Sequence, residues 1–228
     1  MHKLVAVFAH PDDETFICGG TLAKVAKSGV QVVLICATKG EMGRRMGIPP
    51  TATRESIATT RERELRNACK ALGVQRVHLL GLRDKTLEIQ PIETLTNTLL
   101  RYLQDEKPDA VLTFHERWGG HPDHCVIGAA ASRAYAEYSA FVEGTHLYHV
   151  CSGHMIRHPE QCGLVGRLLE IDVTDCLQEK LAAYRAHLTQ SQMEAWLWQD
   201  DEASAAKLWS VEYLATTTSE RWEQTFDL

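Results

Sequence analysis

The chain has 228 residues, 44% hydrophobic and 24% charged, with 24 Lys+Arg against 30 Asp+Glu and a formal net charge of −6. These are globular proportions and exclude collagen-like, low-complexity and disordered chains. The acidic balance argues against a general binder of nucleic acid or of an anionic membrane, both of which select clustered positive charge. Eleven histidines beside seven cysteines are a stock from which a metal site could be drawn.

In chain order, Leu4–Ala9 (LVAVFA) is apolar on both faces, as a central parallel strand requires, and Gln31–Thr38 (QVVLICAT) repeats the pattern. Thr53 to Leu72 reads as a helix with Ile57, Arg61, Leu65, Ala68, Cys69 and Leu72 on one side, and Gly73 supplies its stop. Val77–Leu80 is a third strand. Pro91 to Asp105 is a second helix, with Pro91 in its first turn and Ile92, Leu95, Leu99 and Leu103 along one face. Ala110–Phe114 (AVLTF) is a fourth strand. Ile127, Ala130, Ala131, Ala134 and Tyr138 mark a third helix, and Leu177, Leu181, Tyr184 and Leu188 a fourth. Trp196, Trp198, Trp209 and Trp222 fall in a C-terminal stretch, about 191–228, that reads as a helical extension.

Such alternation predicts one α/β domain over residues 1–228, a parallel sheet with helices on both faces. Ligands in these sheets lie beyond the carboxyl ends of the strands, near a switch in strand order. The residues after Ala9, Thr38, Leu80 and Phe114 are therefore the place to look for a site. The cysteines (Cys18, Cys36, Cys69, Cys125, Cys151, Cys162, Cys176) are odd in number, lack C-x-x-C spacing and sit mostly among aliphatic residues, which reads as buried free thiols in a reducing compartment. MHKLVAVFAHPDDE reaches charged residues before a signal-peptide core can form, and no uncharged apolar stretch approaches a membrane span, so a cytoplasmic protein is expected.

Two strand ends carry nearly the same tetrapeptide. After the first come His10-Pro11-Asp12-Asp13 and Glu14; a short loop after the fourth leads to His121-Pro122-Asp123-His124. With Pro at the first helical position, residues three apart share a face, so His10 and Asp13 converge, as do His121 and His124. Two imidazoles and a carboxylate with an open position suit a catalytic zinc, and also accommodate iron(II). The candidates are His10, Asp13 and one or both of His121 and His124, with Asp12 left free as a general base. A lone His-Pro-Asp at a helix start is more often a cap; two of them at one sheet edge outweigh that reading.

Competing readings are weaker. A dinucleotide site needs G-x-G-x-x-G after the first strand, whereas here the turn is AHPDDETFICGG. His146, His149, His154 and His158, with Cys151 and Cys162, invite a second metal site, but 146 and 149 would face opposite ways in a strand. Arg44, Arg45 and Arg54 are either solvated loop charges or the border of an anionic part of a substrate.

AHPDDE at 9–14 and HPDH at 121–124 resemble the two signature motifs of the LmbE-like, or PIG-L, zinc-dependent N-deacetylases. Thr38-Lys39-Gly40-Glu41-Met42-Gly43, Arg61-x-x-Glu64-Leu65, Leu82-x-Asp84 and Lys180 with His187-Leu188-Thr189-Gln190 are also family-like, so the resemblance spans about residues 4–190. It implies a Rossmann-like three-layer α/β/α fold and removal of acetyl from N-acetylglucosamine conjugates. It further implies one zinc per chain, or iron(II), held by His10, Asp13 and His124. Asp12 is then the general base, and His121 stabilises the oxyanion and protonates the leaving amine. Asp123 tunes His121, Arg61 contacts the polar part of the substrate, and Glu14 is structural. The implied partner is a small N-acetylated amino sugar, with N-acetylglucosaminyl malate favoured, acted on by a homo-oligomer. The alternatives are an amidase acting on a thiol conjugate or another N-acyl substrate, and a non-catalytic metal-binding protein. Some members carry an aromatic residue where Gly119 stands, so either Trp118 or His115 fills that role or the acyl pocket differs in shape.

Overall fold

The apolar runs become the middle of a sheet because neither of their faces can meet water: Leu4, Val5, Ala6 and Phe8 are fully buried, as are Val32, Val33, Ile35 and Cys36. The computed structural model describes residues 2–216. Seven strands are present among them: β1 (Lys3–Phe8), β2 (Gln31–Thr38), β3 (Arg76–Leu82), β4 (Ala110–Phe114), β5 (His146–Val150), β6 (Leu168–Asp172) and β7 (Val211–Thr216). Their order is β3-β2-β1-β4-β5-β7-β6. The pairs among β1 to β5 are parallel, and β7 runs antiparallel to both β5 and β6. The expected Rossmann-like, mostly parallel sheet is thus the observed one. The order reverses between β1 and β4, and the loops leaving those two strands carry the two motifs.

The helices are α1 (Asp13–Phe16), α2 (Gly19–Lys27), α3 (Ile57–Ala71), α4 (Ile92–Glu106), α5 (Pro122–Ser139), α6 (Gly153–Arg157), α7 (Leu177–Ala186), α8 (Leu188–Ser191) and α9 (Asp201–Ala205). In one layer α4 packs on α5, and in the other α2 and α3 pack on α7. Leu95, Leu99 and Leu103 are the buried stripe of α4, as their spacing predicts. Pro91 is the residue before that helix rather than within its first turn. Gly73 ends α3 at φ +75°, where a Cβ would come within 2.9 Å of Ala26 Cβ. The helix expected to run through Leu188 breaks at His187, whose side chain is drawn to Glu14.

The C-terminal stretch departs from the helical expectation. It holds a short 3-10 turn and α9, and then β7 inserts between β5 and β6. Leu214 and Ala215 are fully buried in the sheet. Glu212 is buried as well, and its carboxylate accepts the Gly20 amide (2.9 Å), the Thr21 amide (2.7 Å) and the Thr21 hydroxyl (2.6 Å) at the start of α2. Trp196 is partly buried beside Leu181 and Leu197, whereas Trp198 and Trp209 are 42% and 74% exposed; Trp222 lies outside the described residues. Among the described residues no helix is long and apolar enough to cross a membrane.

At the end of α4, buried Glu106 gathers Lys3 Nζ (3.1 Å), Arg76 Nη1 (2.7 Å) and His78 Nε2 (2.8 Å), tying α4 to β1 and β3. Burial would raise its pKa, but the hydrogen bonds from His78, Arg76 and Lys3 hold it down at about 2. A carboxylate with a lowered folded pKa stabilises fully above its unfolded value and loses that contribution as pH falls through the folded one. Urea denaturation should therefore show stability falling between pH 4.5 and about 2. Glu106→Gln should flatten that acid limb and lower stability at neutral pH.

Candidate active site

The first motif leaves β1 as a closed turn. Asp13 carries its carboxylate back to accept the amides of His10 (2.8 Å) and Ala9 (3.2 Å), and only then does α1 begin. His10-Pro11-Asp12 is consequently a loop rather than the expected helical turn; side-chain capping, not helical periodicity, brings His10 and Asp13 together. Asp12 sits at φ +117°, a left-handed conformation costing a non-glycine residue about 1–3 kcal/mol. Neighbours hold it there. Its amide donates to Glu14 Oε2 (3.0 Å), while Arg61 donates to the Pro11 carbonyl and to Asp12 Oδ2 (2.8 Å).

The second motif behaves as expected. His121 caps α5, its Nδ1 accepting the Asp123 amide at 3.1 Å, and Pro122 is the first helical residue. His124 then stacks on Phe114 of β4, ring centroids 4.0 Å apart and nearly coplanar at 4°.

The three expected ligands converge. His10 Nδ1 lies 3.2 Å from His124 Nε2, His124 Nε2 lies 3.2 Å from Asp13 Oδ1, and His10 Nδ1 lies 3.6 Å from Asp13 Oδ2. Donors at about 2.0–2.1 Å from a tetrahedral zinc stand ~3.3 Å apart, a spacing matched by His10 Nδ1 to His124 Nε2 and by His124 Nε2 to Asp13 Oδ1, while His10 faces the other Asp13 oxygen. The remaining ring nitrogens are also assigned. His124 Nδ1 donates to the Gly119 carbonyl (2.9 Å), and His10 Nε2 donates to Asp123 Oδ2 (3.1 Å) and faces Asp84 Oδ1 (3.1 Å). A neutral ring keeps its proton on that nitrogen, which leaves His10 Nδ1 and His124 Nε2 as the lone-pair atoms, the device that orients metal-binding imidazoles. A nitrogen of His121 also lies within 4.8 Å of the donors of His10 and His124.

Charge is concentrated here. Burial would lower His10, but the hydrogen bonds to Asp123 and Asp84 and the charge of Asp13 push it up to about 10. Burial lifts Asp12 to about 6 against the pull of Arg61. Burial would also raise Asp13, yet His124 and His10 hold it below its usual value. His121 is lowered by burial and by the neighbouring His10 and His124.

A family model described as PIG-L, GlcNAc-PI de-N-acetylase, matches residues 5–135. The chain belongs to the PIG-L family. A Bacillus subtilis protein named probable N-acetyl-alpha-D-glucosaminyl L-malate deacetylase 2 is 38% identical over 192 residues, covering 84% of each chain. A Bacillus cereus protein of the same name is 41% identical over 133 residues, 58% of this chain and 60% of that one. Among solved structures, N,N'-diacetylchitobiose deacetylase from Pyrococcus horikoshii superposes with a TM-score of 0.70 at 22% identity, over 95% of this chain and 84% of that one, a likeness of fold.

Two residues of this PIG-L chain sit differently from expectation. Asp123 meets the imidazole of His121 through its amide and not its carboxylate, which takes His10 Nε2 and the amides of Lys85 (2.8 Å) and Leu87 (3.2 Å). It is turned towards His10 by the loop after β3. Arg61 is only 4% exposed and is consumed by the Gly40 carbonyl (2.7 Å), the Pro11 carbonyl and Asp12, so it buttresses Asp12 instead of facing an open pocket. Gly40 permits this approach, since a Cβ there would lie 2.1 Å from Arg61 Nη1.

Sequence reasoning gave no role to Asp84, although Leu82-x-Asp84 was a signal for it. Nor did it find a partner for His187. His187 Nε2 meets Glu14 Oε1 at 2.6 Å with both side chains fully buried, and Glu14 is the group that holds the Asp12 amide. Among the described residues every group of three or more close metal-type donors includes His10. The histidines of 146–158 form none: His149 is buried against Ser132 Oγ (3.2 Å), and burial drives it down to about 4. The seven cysteines are free, five of them buried. Arg45 donates to the Gln190 carbonyl (2.7 Å) and Arg54 to the Gly43 carbonyl (2.7 Å) on the outer loop, where Arg44 is also exposed.

Two outcomes follow from these contacts. Asp84→Asn should weaken divalent-metal affinity about 10–100-fold, read by chelator competition, because it disturbs an outer-shell partner of His10 without removing a donor. His187→Ala strands a buried carboxylate and should cost about 3–5 kcal/mol in urea unfolding.

Proposed function

We propose that the protein is a zinc-dependent hydrolase that removes the acetyl group from an N-acetylglucosamine conjugate of the N-acetylglucosaminyl malate type. The observation that carries this is the convergence of His10 Nδ1, His124 Nε2 and Asp13 within 3.2–3.6 Å, with Asp12 beside them and not a member of the set. The names of the Bacillus relatives supply the substrate class. The cytoplasmic setting is an expectation of the sequence, and homo-oligomeric assembly one of the family resemblance.

In this reading His10, Asp13 and His124 hold the metal, zinc or iron(II), which lowers the pKa of water and polarises a carbonyl. Asp12 accepts the proton of the attacking water. A carboxyl at about 6 is ionised at neutral pH yet basic enough for the task, and Arg61 keeps its second oxygen fixed. His121 accepts at Nδ1, so the neutral ring bears its proton on Nε2. That N–H donates to the oxygen that becomes negative as the carbonyl carbon turns tetrahedral, and the departing nitrogen takes the proton that Asp12 accepted from the water. Asp123 acts through His10, fixing its tautomer.

Asp12→Asn should retain metal, measured by elemental analysis of the purified protein, yet lose acetate release by about 10²–10⁴-fold. His10→Ala should lose both. Near-normal turnover by metal-loaded Asp12→Asn would falsify the assignment of the base.

A further inference from the structure

Beside the ligand set lies a cavity of about 430 Å³, within the range of about 300–1,000 Å³ typical of ligand pockets. It reaches the site at His124, Phe114 and Gly120 and runs away from it between α1, α6 and the start of β7. Its walls are aromatic and aliphatic: Phe16, Trp118, Ile156, Tyr184, Trp196 and Tyr213, with Trp209 at the rim. The ionic pair on its lining is satisfied, Lys180 Nζ lying 2.7 Å from Glu212 Oε1 and 3.0 Å from the Trp209 carbonyl.

Two glycines, Gly119 and Gly120, line the cavity where it meets the site. At Gly119 a Cβ would come within 2.9 Å of His124 Cβ, so an aromatic side chain cannot stand there without displacing the ligand; Trp118 supplies the aromatic surface from one position earlier. At Gly120, φ +80°, a Cβ would meet nothing within 4 Å. His115 instead packs on His149, ring centroids 5.3 Å apart. The two flanks of the ligand set therefore differ in polarity. The loop after β2, bearing exposed Arg44, Arg45 and Arg54, lies on one flank, and the aromatic cavity lies on the β5–β7 flank. An N-acyl amino sugar has the same asymmetry, with hydroxyls on the nitrogen side of its amide and alkyl on the carbonyl side.

We propose that the cavity is an acyl-chain subsite, and that the protein cleaves amino-sugar amides whose acyl group is an aliphatic chain longer than acetyl. This deepens the hydrolase reading and rests on it. The step is the same hydrolysis: the water oxygen bonds to the carbonyl carbon, the C–N bond breaks, both water protons end on the nitrogen, and a fatty carboxylate and a protonated amine leave.

The test compares kcat/KM for N-acetyl, N-butyryl and N-hexanoyl glucosaminyl L-malate, with the N-acetyl hexyl glucosaminide carrying its chain on the other side of the amide. Each buried methylene is worth about fourfold. N-hexanoyl should exceed N-acetyl at least tenfold, and the ratio should fall at least tenfold in Ile156→Phe, which fills the cavity, and in Trp209→Ala, which strips its exposed rim. A hexanoyl-to-acetyl ratio below tenfold overturns the proposal, as does a ratio that either variant leaves unmoved, or a gain confined to the hexyl glucosaminide. If no amide is cleaved, the hydrolase reading itself fails, and tryptophan fluorescence then decides the subsite. Quenching by the N-hexanoyl compound at least tenfold tighter than by N-acetyl supports it, and equal or absent quenching overturns it.

Discussion

One imidazole orders the site. His10 presents Nδ1 to Asp13 and His124 and gives Nε2 to Asp84 and Asp123, so a single ring fixes the relation between the loops after β1, β3 and β4. Its proton cannot move from Nε2 to Nδ1 without leaving two buried carboxylates facing a lone pair. The nitrogen that His10 leaves free is thereby chosen by groups on the far side of its ring. The carboxylates are positioned in turn by backbone amides: Met42 donates to Asp84 at 2.8 Å, and Lys85 and Leu87 donate to Asp123. The chain thus uses main-chain donors on rigid turns, whose geometry varies little, to aim one side chain.

A similar economy holds Asp12. Its left-handed backbone is unfavourable alone, and it persists because Arg61 and Glu14 grip the peptide on either side. Arg61 comes from α3 and His187, behind Glu14, from the end of α7, and those two helices pack together in one layer. The local strain is therefore offset by the packing of a whole helical layer, and the carboxylate that needs the most exact placement is braced from sites far apart in sequence.

Much of this was legible in the sequence, because the central strands are apolar on both faces and β1, β2 and β4 end where their patterns stop. The meeting of the two motifs was legible for a different reason, the repetition of His-Pro-Asp at two strand ends. What escaped reading had a long-range cause. Val211–Thr216 carries an acid and a tyrosine and looks indifferent as a strand, yet Glu212 is needed at the start of α2. Arg61 lay correctly on the inner side of its helix, but its target was a strained turn that no periodicity announces. Asp123 follows His121 by two positions and nonetheless serves His10, because a helix start turns the two side chains apart.

The reversed direction of β7 has a temporal consequence. Since it runs against β5, its first residues lie at the same edge as the last residues of the parallel strands, and Glu212 reaches Gly20 across 192 positions of chain. On the ribosome both His-Pro-Asp motifs emerge well before this strand. The newborn site can gather its donors early, but α2 has no acceptor for its leading amides, Lys180 has no counter-charge and the cavity has no end wall until β7 has been made. Completion of the site is thus tied to the emergence of a strand made long after its two motifs.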